Sequence, residues 1–204
     1  MSDKPQFNID LAPLPTHAFG HRALTWWGLV AFFLIEGTAF AVAIAAYFYL
    51  MNLDPAWPPP PFLPPELLAG TLFTVLLLLS EFPNTLAKKA AESEDLPALR
   101  KLLVVMSLVG LALMIIRGFE FVSLNVLWYQ NAYGSAVWLL LVLHTTHIAT
   151  DWVDTLVLTA LMHTKEGTKG RRFVDCAENA TYWRFVWLVW LPMYALIYWL
   201  PRLA

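Results

Sequence analysis

The stretch LHTTHIATDWVD places four ionisable side chains inside an otherwise apolar run. They are His144, His147, Asp151 and Asp154, separated by three, four and three residues. At about 100° of helical rotation per residue, all four fall on one stripe roughly 80° wide. Because charges are costly beside lipid, such a stripe predicts a helix surface that faces protein.

Several chemistries are compatible with this stripe, and the residues leave them open. Buried polar side chains can hydrogen-bond across helices and fix which helix packs where. Chains of Asp, Glu and His also mark proton routes in membrane pumps and transporters. The pairs His144/His147 and His147/Asp151 have spacings at which two ligands could share a metal ion, provided that a facing helix supplies more. Contact with a lipid or a cofactor is a fourth interpretation.

Three further ionisable residues lie in apolar runs: Glu36, Arg117 and Glu120. Glu36 is near the middle of its run, has no partner on its own helix, and is the suitable additional ligand for a metal. Arg117 and Glu120 are three residues apart, a spacing that predicts an ion pair on adjacent helical turns.

The elements that carry these residues are predicted from composition. The chain has 204 residues, of which 59% are hydrophobic and 14% charged, whereas soluble domains are typically about 45–50% apolar and about 25% charged. Five runs have the roughly 20 apolar residues that a membrane span needs. We therefore predict an all-α integral membrane protein, a tail over residues 1–23 and a single five-helix domain over 24–204, with helices at about 24–50, 67–87, 102–122, 135–162 and 183–200.

The distribution of positive charge predicts the orientation. Eleven of the 13 Lys and Arg residues lie in the N-terminal tail, in the segments after the second and fourth runs, or just inside the fifth run. One, Arg202, lies on the other side, and Arg117 is inside the third run. The positive-inside rule then places the N-terminus in the cytoplasm and the C-terminus outside. No cleavable signal peptide is apparent, so the first helix is expected to serve as signal and anchor.

Several runs resemble subunit III of haem–copper respiratory oxidases. GLVAFFLIEGTAFAVAIAAYF is similar to that family's helix with a mid-membrane glutamate, here Glu36, and LPPELLAGTLFTVLLLLS is similar to the helix after it. RGFEF resembles its Gln-x-x-Glu-Tyr motif, with Glu120 retained. YGSAVWLLLVLHTTHIA resembles its Tyr-Gly-Ser and His-x-x-His signature, and the matching residues are Tyr133, Gly134, Ser135, His144 and His147.

The last run, YWRFVWLVWLPMYALIYW, is similar to the family's last helix, beginning at Tyr182 and Trp183. The resemblance extends from about residue 26 to 199 and corresponds to the five-helix form of several bacterial oxidases. The chain also departs from the family. Arg184 replaces a histidine, Trp187 an aspartate and Asp151 a glycine, which marks a divergent member.

The resemblance implies an accessory, non-redox subunit of an aerobic terminal oxidase in the bacterial inner membrane. Haem and copper are then expected in the partner subunits, and this chain is expected to bind no metal or cofactor and to catalyse nothing alone. It would pack on catalytic subunit I and on subunit II, bind phospholipid, and support assembly and proton uptake. No nucleic-acid partner is expected.

The residues agree with an accessory role. The five histidines are too few and too scattered to ligate two haems and a copper, and the single Cys176 excludes a thiolate copper centre built by this chain alone. The rival interpretations are a small proton-coupled transporter, an integral-membrane metalloenzyme, and an accessory subunit of a nitric-oxide reductase. The choice between cytochrome c and quinol as electron donor stays open.

Overall fold

The computed structural model of the chain describes residues 15–203, without the side chain of Glu166. Most of the predicted tail, residues 1–14, and Ala204 lie outside the described residues.

Five helices account for nearly all of the described chain. They are α1 (Leu24–Leu53), α2 (Leu67–Glu92), α3 (Leu96–Val122), α4 (Ala132–Met162) and α5 (Gly170–Leu203). Each is long and apolar enough to cross a membrane, and residues 15–203 contain no strand. The prediction of an all-α, five-helix, multi-pass membrane protein is confirmed.

Three helices begin earlier than predicted, α4 by only three residues and α3 and α5 by more. Helix α5 starts at Gly170 rather than at 183, because its first turns are amphipathic. Charged residues there lower the hydropathy, while Phe173, Cys176 and Ala177 are buried against the neighbouring helices. Helix α3 starts at Leu96 rather than at 102, because the carboxylate of Asp95 caps it by accepting a hydrogen bond of 3.1 Å from the backbone N–H of Ala98.

The helices α2, α3, α4 and α5 form a closed ring, in which each packs against the next and α5 packs against α2. Helix α1 lies outside this ring against α4 and α5. The short connections 93–95 and 163–169 lie at one end of the ring, which we call the basic end. Segments 54–66 and 123–131 lie at the opposite end, which we call the proline-rich end.

The proline-rich end is closed by an aromatic residue from the first connection. Trp57 is only 6% exposed. Its ring makes edge-to-face contacts with Tyr47 and Tyr133, at centroid distances of 5.3 and 5.1 Å. The connection 54–66 thus anchors a large side chain in the core.

Candidate functional site

The seven ionisable residues identified in the sequence belong to two separate polar clusters. The arginine cluster consists of Arg117, Glu120, His144 and Tyr198, and it lies inside the ring. The glutamate groove lies between α1, α4 and α5, and its polar side chains include Glu36, His147, Asp151, Asp154, Asn179 and Tyr182. The stripe on α4 therefore serves two sites, because His144 points into the ring and the other three residues line the groove.

The arginine cluster contains the predicted ion pair. Arg117 Nη1 donates to Glu120 Oε2 at 2.7 Å, and the two side chains are 2% and 0% exposed. The other carboxylate oxygen, Oε1, accepts a hydrogen bond of 2.5 Å from the hydroxyl of Tyr198. The carboxylate of Glu120 is thus bonded by side chains from two helices, α3 and α5.

His144 completes the arginine cluster as a neutral imidazole. Its Nδ1 lies 2.9 Å from Arg117 Nη2, and a guanidinium can only donate, so Nδ1 must accept. The proton is then on Nε2, which donates to the carbonyl oxygen of Val186 at 3.1 Å. Both ring nitrogens are occupied, so His144 could ligate a metal only by giving up one of these bonds.

Aromatic rings enclose the guanidinium of Arg117. Its Cζ lies 3.6 Å from the ring centroid of Phe73 and 4.4 Å from that of Trp190, distances at which cation–π attraction is significant. Tyr198 fits because α2 has a glycine beside it. A Cβ on Gly70 would lie 2.2 Å from Tyr198 Cζ.

In the glutamate groove, Glu36 on α1 contacts side chains from both α4 and α5. The hydroxyl of Tyr182 donates to Glu36 Oε2 at 2.8 Å, and His147 Nε2 lies 3.4 Å from Glu36 Oε1. The other nitrogen of His147, Nδ1, is 2.6 Å from the carbonyl oxygen of Leu143 and must donate to it. The free side of the imidazole therefore faces the carboxyl group of Glu36.

Asn179 joins the two aspartates. Its Nδ2 donates to Asp151 Oδ1 at 2.7 Å and to Asp154 Oδ2 at 3.1 Å. Its Oδ1 accepts from the hydroxyl of Thr155 at 3.2 Å. Asp151 is 3% exposed, and its second oxygen, Oδ2, is buried without a hydrogen-bond partner among the described residues.

The expectation that the whole α4 stripe faces protein is wrong for Asp154, which is exposed. The physical reason is that this part of the stripe borders an open groove of about 660 Å³ rather than a neighbouring helix. Asp154 also lies near the basic end of α4.

The first turns of α5 supply groove residues that sequence reasoning missed. Arg172 and Asp175 form an ion pair of 2.9 Å at the groove wall, and Glu178 and Asn179 follow one turn later. The polar positions 172, 175, 179 and 182 recur every three or four residues, which is the helical signal that could have found them.

A third polar cluster was also missed, and it explains two departures from the family motif. Arg184 Nε donates to Glu81 Oε1 at 2.7 Å, and Trp187 Nε1 donates to Glu81 Oε2 at 3.1 Å. Glu81 also accepts from Asn84 and Thr85, one turn further along α2. We call these five residues the Glu81 cluster. The sequence feature that could have pointed to this cluster is Glu81 itself, a single carboxylate inside the second apolar run.

Comparison with known proteins assigns the family. The sequence model described as Cytochrome c oxidase subunit III matches residues 14–202. The chain belongs to the cytochrome c oxidase subunit III family. A subunit III implies a multi-subunit oxidase complex, and the function that the family and its relatives support is that of an accessory subunit III of a haem–copper oxidase.

Relatives in this family are distant but cover most of the chain. Cytochrome c oxidase subunit 3 of Synechocystis is 26% identical over 183 residues, which are 88% of this chain and 77% of that protein. The probable cytochrome c oxidase subunit 3 of Mycobacterium leprae is 26% identical, over 89% of this chain and 91% of its own length. The cytochrome c oxidase subunit 3 of Aedes aegypti is 25% identical, over 85% of this chain and 68% of its own.

The motif residues Gly134 and Ser135 make close contacts at the start of α4. The N-terminus of α4 is capped by Asn131, whose side chain accepts from the backbone N–H of Gly134 at 2.7 Å. A Cβ on Gly134 would lie 2.4 Å from the carbonyl oxygen of Leu127. The hydroxyl of Ser135 donates to the carbonyl of Trp128 at 2.6 Å, so this motif joins α4 to the connection before it.

Trp183, the other motif residue on α5, is buried, and its Nε1 donates to the hydroxyl of Ser80 at 2.8 Å. Within residues 15–203, no group of three or more His, Cys, Asp or Glu side chains is arranged to hold a metal ion.

Proposed function

We propose that this chain is an accessory, non-redox subunit III of a bacterial haem–copper terminal oxidase. The observation that carries the proposal is the family match over residues 14–202. In this proposal the haems and copper belong to catalytic subunit I and to subunit II, and oxygen reduction takes place there. The same match leaves room for a quinol-oxidising complex, and a nitric-oxide reductase core is the alternative partner.

The contacts of His144 and His147, the histidines inside α4, support a role without redox chemistry. His144 uses both ring nitrogens in bonds to Arg117 and Val186. His147 uses Nδ1 in a bond to Leu143 and turns Nε2 to Glu36. His144 therefore presents no free nitrogen to an axial haem position or to copper, and Nε2 of His147 faces a carboxyl group. Their contacts instead hold α4 against α1, α3 and α5.

The glutamate groove supports a contribution to proton uptake. It is lined from the basic end inward by Arg172, Asp154, Asp151, His147 and Glu36. Carboxyl and imidazole groups along one cavity can hold and exchange protons, and His147 and Glu36 lie side by side at its inner end.

We also propose that the basic end faces the cytoplasm of a bacterium and that the C-terminus lies outside. The positive-inside rule supports this orientation, because the basic residues are concentrated at that end. The apolar side chains exposed along α1 and α3, among them Leu34, Ile35, Leu108 and Ile115, support contact of these faces with phospholipid tails.

The experiment is a purification of the tagged chain from its native membrane in mild detergent, followed by a reduced-minus-oxidised visible spectrum. Haem bands are expected, and their positions distinguish an oxidase core from a nitric-oxide reductase core. The control is the same tagged chain expressed in a host without the core subunits, which should be free of haem. A haem-free native preparation, obtained after chemical cross-linking of the membrane to prevent loss of partners, would refute the proposal.

A further inference from the structure

Among residues 15–203, the membrane-spanning helices contain two arginine–glutamate ion pairs that differ in their surroundings. The side chains of Arg117 and Glu120 are 2% and 0% exposed inside the ring. The side chains of Arg184 and Glu81 are 38% and 23% exposed, on the outer side of the junction between α2 and α5. A guanidinium in this position would face the surrounding membrane if nothing covered it.

Glu81 and Arg184 lie near the middle of the bundle, away from the water at either end. Glu81 follows the start of α2 by 14 residues, and Arg184 follows the start of α5 by 14 residues. Helix α2 begins at the proline-rich end and α5 at the basic end, so at about 1.5 Å of rise per residue Glu81 lies about 16 Å and Arg184 about 21 Å from the basic ends of their helices. A hydrocarbon core about 30 Å thick and centred on these helices contains both charges. Lipid tails offer no hydrogen bond to an exposed N–H.

In the Glu81 cluster, the carboxylate of Glu81 is fully hydrogen-bonded, whereas one guanidinium nitrogen of Arg184 is not. The carboxylate accepts from Arg184, Trp187, Asn84 and Thr85. The guanidinium uses Nε and Nη2 for Glu81, and Nη2 also for Thr85. Arg184 Nη1 has no hydrogen-bond partner among residues 15–203 and is not enclosed. The unmet requirement of this face is therefore an acceptor for Nη1.

Other exposed polar side chains in the membrane-spanning helices do not need an acceptor from outside the chain. The hydroxyls of Thr38, Thr146 and Thr150 donate to carbonyls of their own helices. Asp154 lies eight residues from the end of α4, within reach of water at the basic end. On the α2–α5 face, by contrast, the polar stripe continues toward the proline-rich end, where the hydroxyls of exposed Thr71 and half-buried Tyr194 are 2.8 Å apart.

We propose that the outer face of the α2–α5 junction, centred on Arg184 and Glu81, is the surface by which this chain docks on a transmembrane helix of a core oxidase subunit. That helix presents an uncharged hydrogen-bond acceptor to Arg184 Nη1. The acceptor is uncharged because Arg184 and Glu81 already neutralise each other, and a second carboxylate would leave a buried net charge. The inference rests on the proposed function, which supplies a core complex as the partner.

The first test places a photo-crosslinking amino acid at one position at a time and irradiates native membranes that contain the whole complex. Leu78 and Leu188 flank the Glu81 cluster and are 42% and 49% exposed. The controls are Ile35 on α1 and Leu108 on α3, which are more exposed, at 70% and 61%. We expect adducts with a core subunit from Leu78 and Leu188 at a yield about tenfold above the controls.

The possible failures can be told apart. Equal yields from all four positions, a higher yield from the controls, or adducts from Leu78 and Leu188 to lipid or to a second copy of this chain would overturn the docking face. In those cases haem bands in the tagged preparation would leave the proposed function standing. A preparation that carries no haem would instead refute the proposed function.

A second variant tests the hydrogen bond itself. The double substitution Arg184→Leu/Glu81→Leu removes both charges and leaves an apolar junction that still packs. We expect about tenfold weaker retention of this chain on a core complex purified through a tagged core subunit, with the isolated variant still folded. The matched control, Leu108→Ala, should be retained like the wild type. Full retention of the double variant would overturn the proposal.

Discussion

Arg117 and His144 are joined by a hydrogen bond of 2.9 Å between Nη2 and Nδ1, which connects α3 to α4 inside the ring. Since arginine only donates, this bond holds the imidazole in its neutral Nε2–H form. The Nε2–H then reaches α5 through the carbonyl of Val186. One side chain of the signature His-x-x-His thus joins three helices through its two hydrogen bonds.

Removal of Arg117 should destabilise the bundle strongly. Arg117→Leu leaves Glu120 and His144 buried without their partner, and breaking a buried pair in this way typically costs about 3–5 kcal/mol. We expect a large fall in the thermal midpoint of the purified chain in mild detergent, followed by tryptophan fluorescence. The double variant Arg117→Leu/Glu120→Leu should recover much of the loss. A single variant as stable as the wild type would contradict the assignment of a buried ion pair.

Gly70 should tolerate no side chain. In Gly70→Ala the new Cβ would meet the ring of Tyr198 at 2.2 Å, and that ring is fixed because it is buried and bonded to Glu120. Overpacking of this kind costs about 1–3 kcal/mol. Denaturant titration of the two glycine variants measures it. The control is Gly118→Ala on α3, where the added Cβ has open space and where the change should be neutral or stabilising. Equal stability of both variants would refute the close contact.

Asn179 should be coupled energetically to Asp151. Asn179→Leu leaves Asp151, which is 3% exposed, without the one hydrogen-bond donor that it has among residues 15–203, at a cost of about 1–3 kcal/mol. In an Asp151→Ala background the same substitution should cost much less, since no buried carboxylate is left unpaired. A double-mutant cycle on thermal stability measures this coupling. Additive effects of the two substitutions would show that Asn179 acts independently of Asp151.

Trp57 should contribute strongly to the stability of the fold, although it lies in a connection between two helices. It is 6% exposed, whereas Trp128 in the other connection at the proline-rich end is 60% exposed. Truncation of a buried aromatic side chain costs about 3–5 kcal/mol. We therefore expect Trp57→Ala to lower the unfolding midpoint of the purified chain markedly and Trp128→Ala to change it little. A similar small effect of both would mean that the first connection is not packed into the core.

The amino-acid sequence by itself determined the number and type of the helices. Apolar runs of about 20 residues permit no other structure in a membrane, because lipid satisfies no backbone hydrogen bond. Local spacing also predicted the ion pair between Arg117 and Glu120, which are neighbours on one helix. The start of α5 was not predicted, because hydropathy measures the average of a segment and the amphipathic turns after Gly170 have a low average.

Only the tertiary structure decided which distant residues meet. Tyr182 and Glu36 are 146 positions apart and are joined by a hydrogen bond of 2.8 Å, and Glu81 meets Arg184 and Trp187 across the α2–α5 junction. The periodicity of a helix states which residues share a face, but it does not state which helix covers that face. The order of the ring, and the position of α1 outside it, therefore separated His144 from the other residues of its stripe and placed one ion pair inside the protein and the other on its surface.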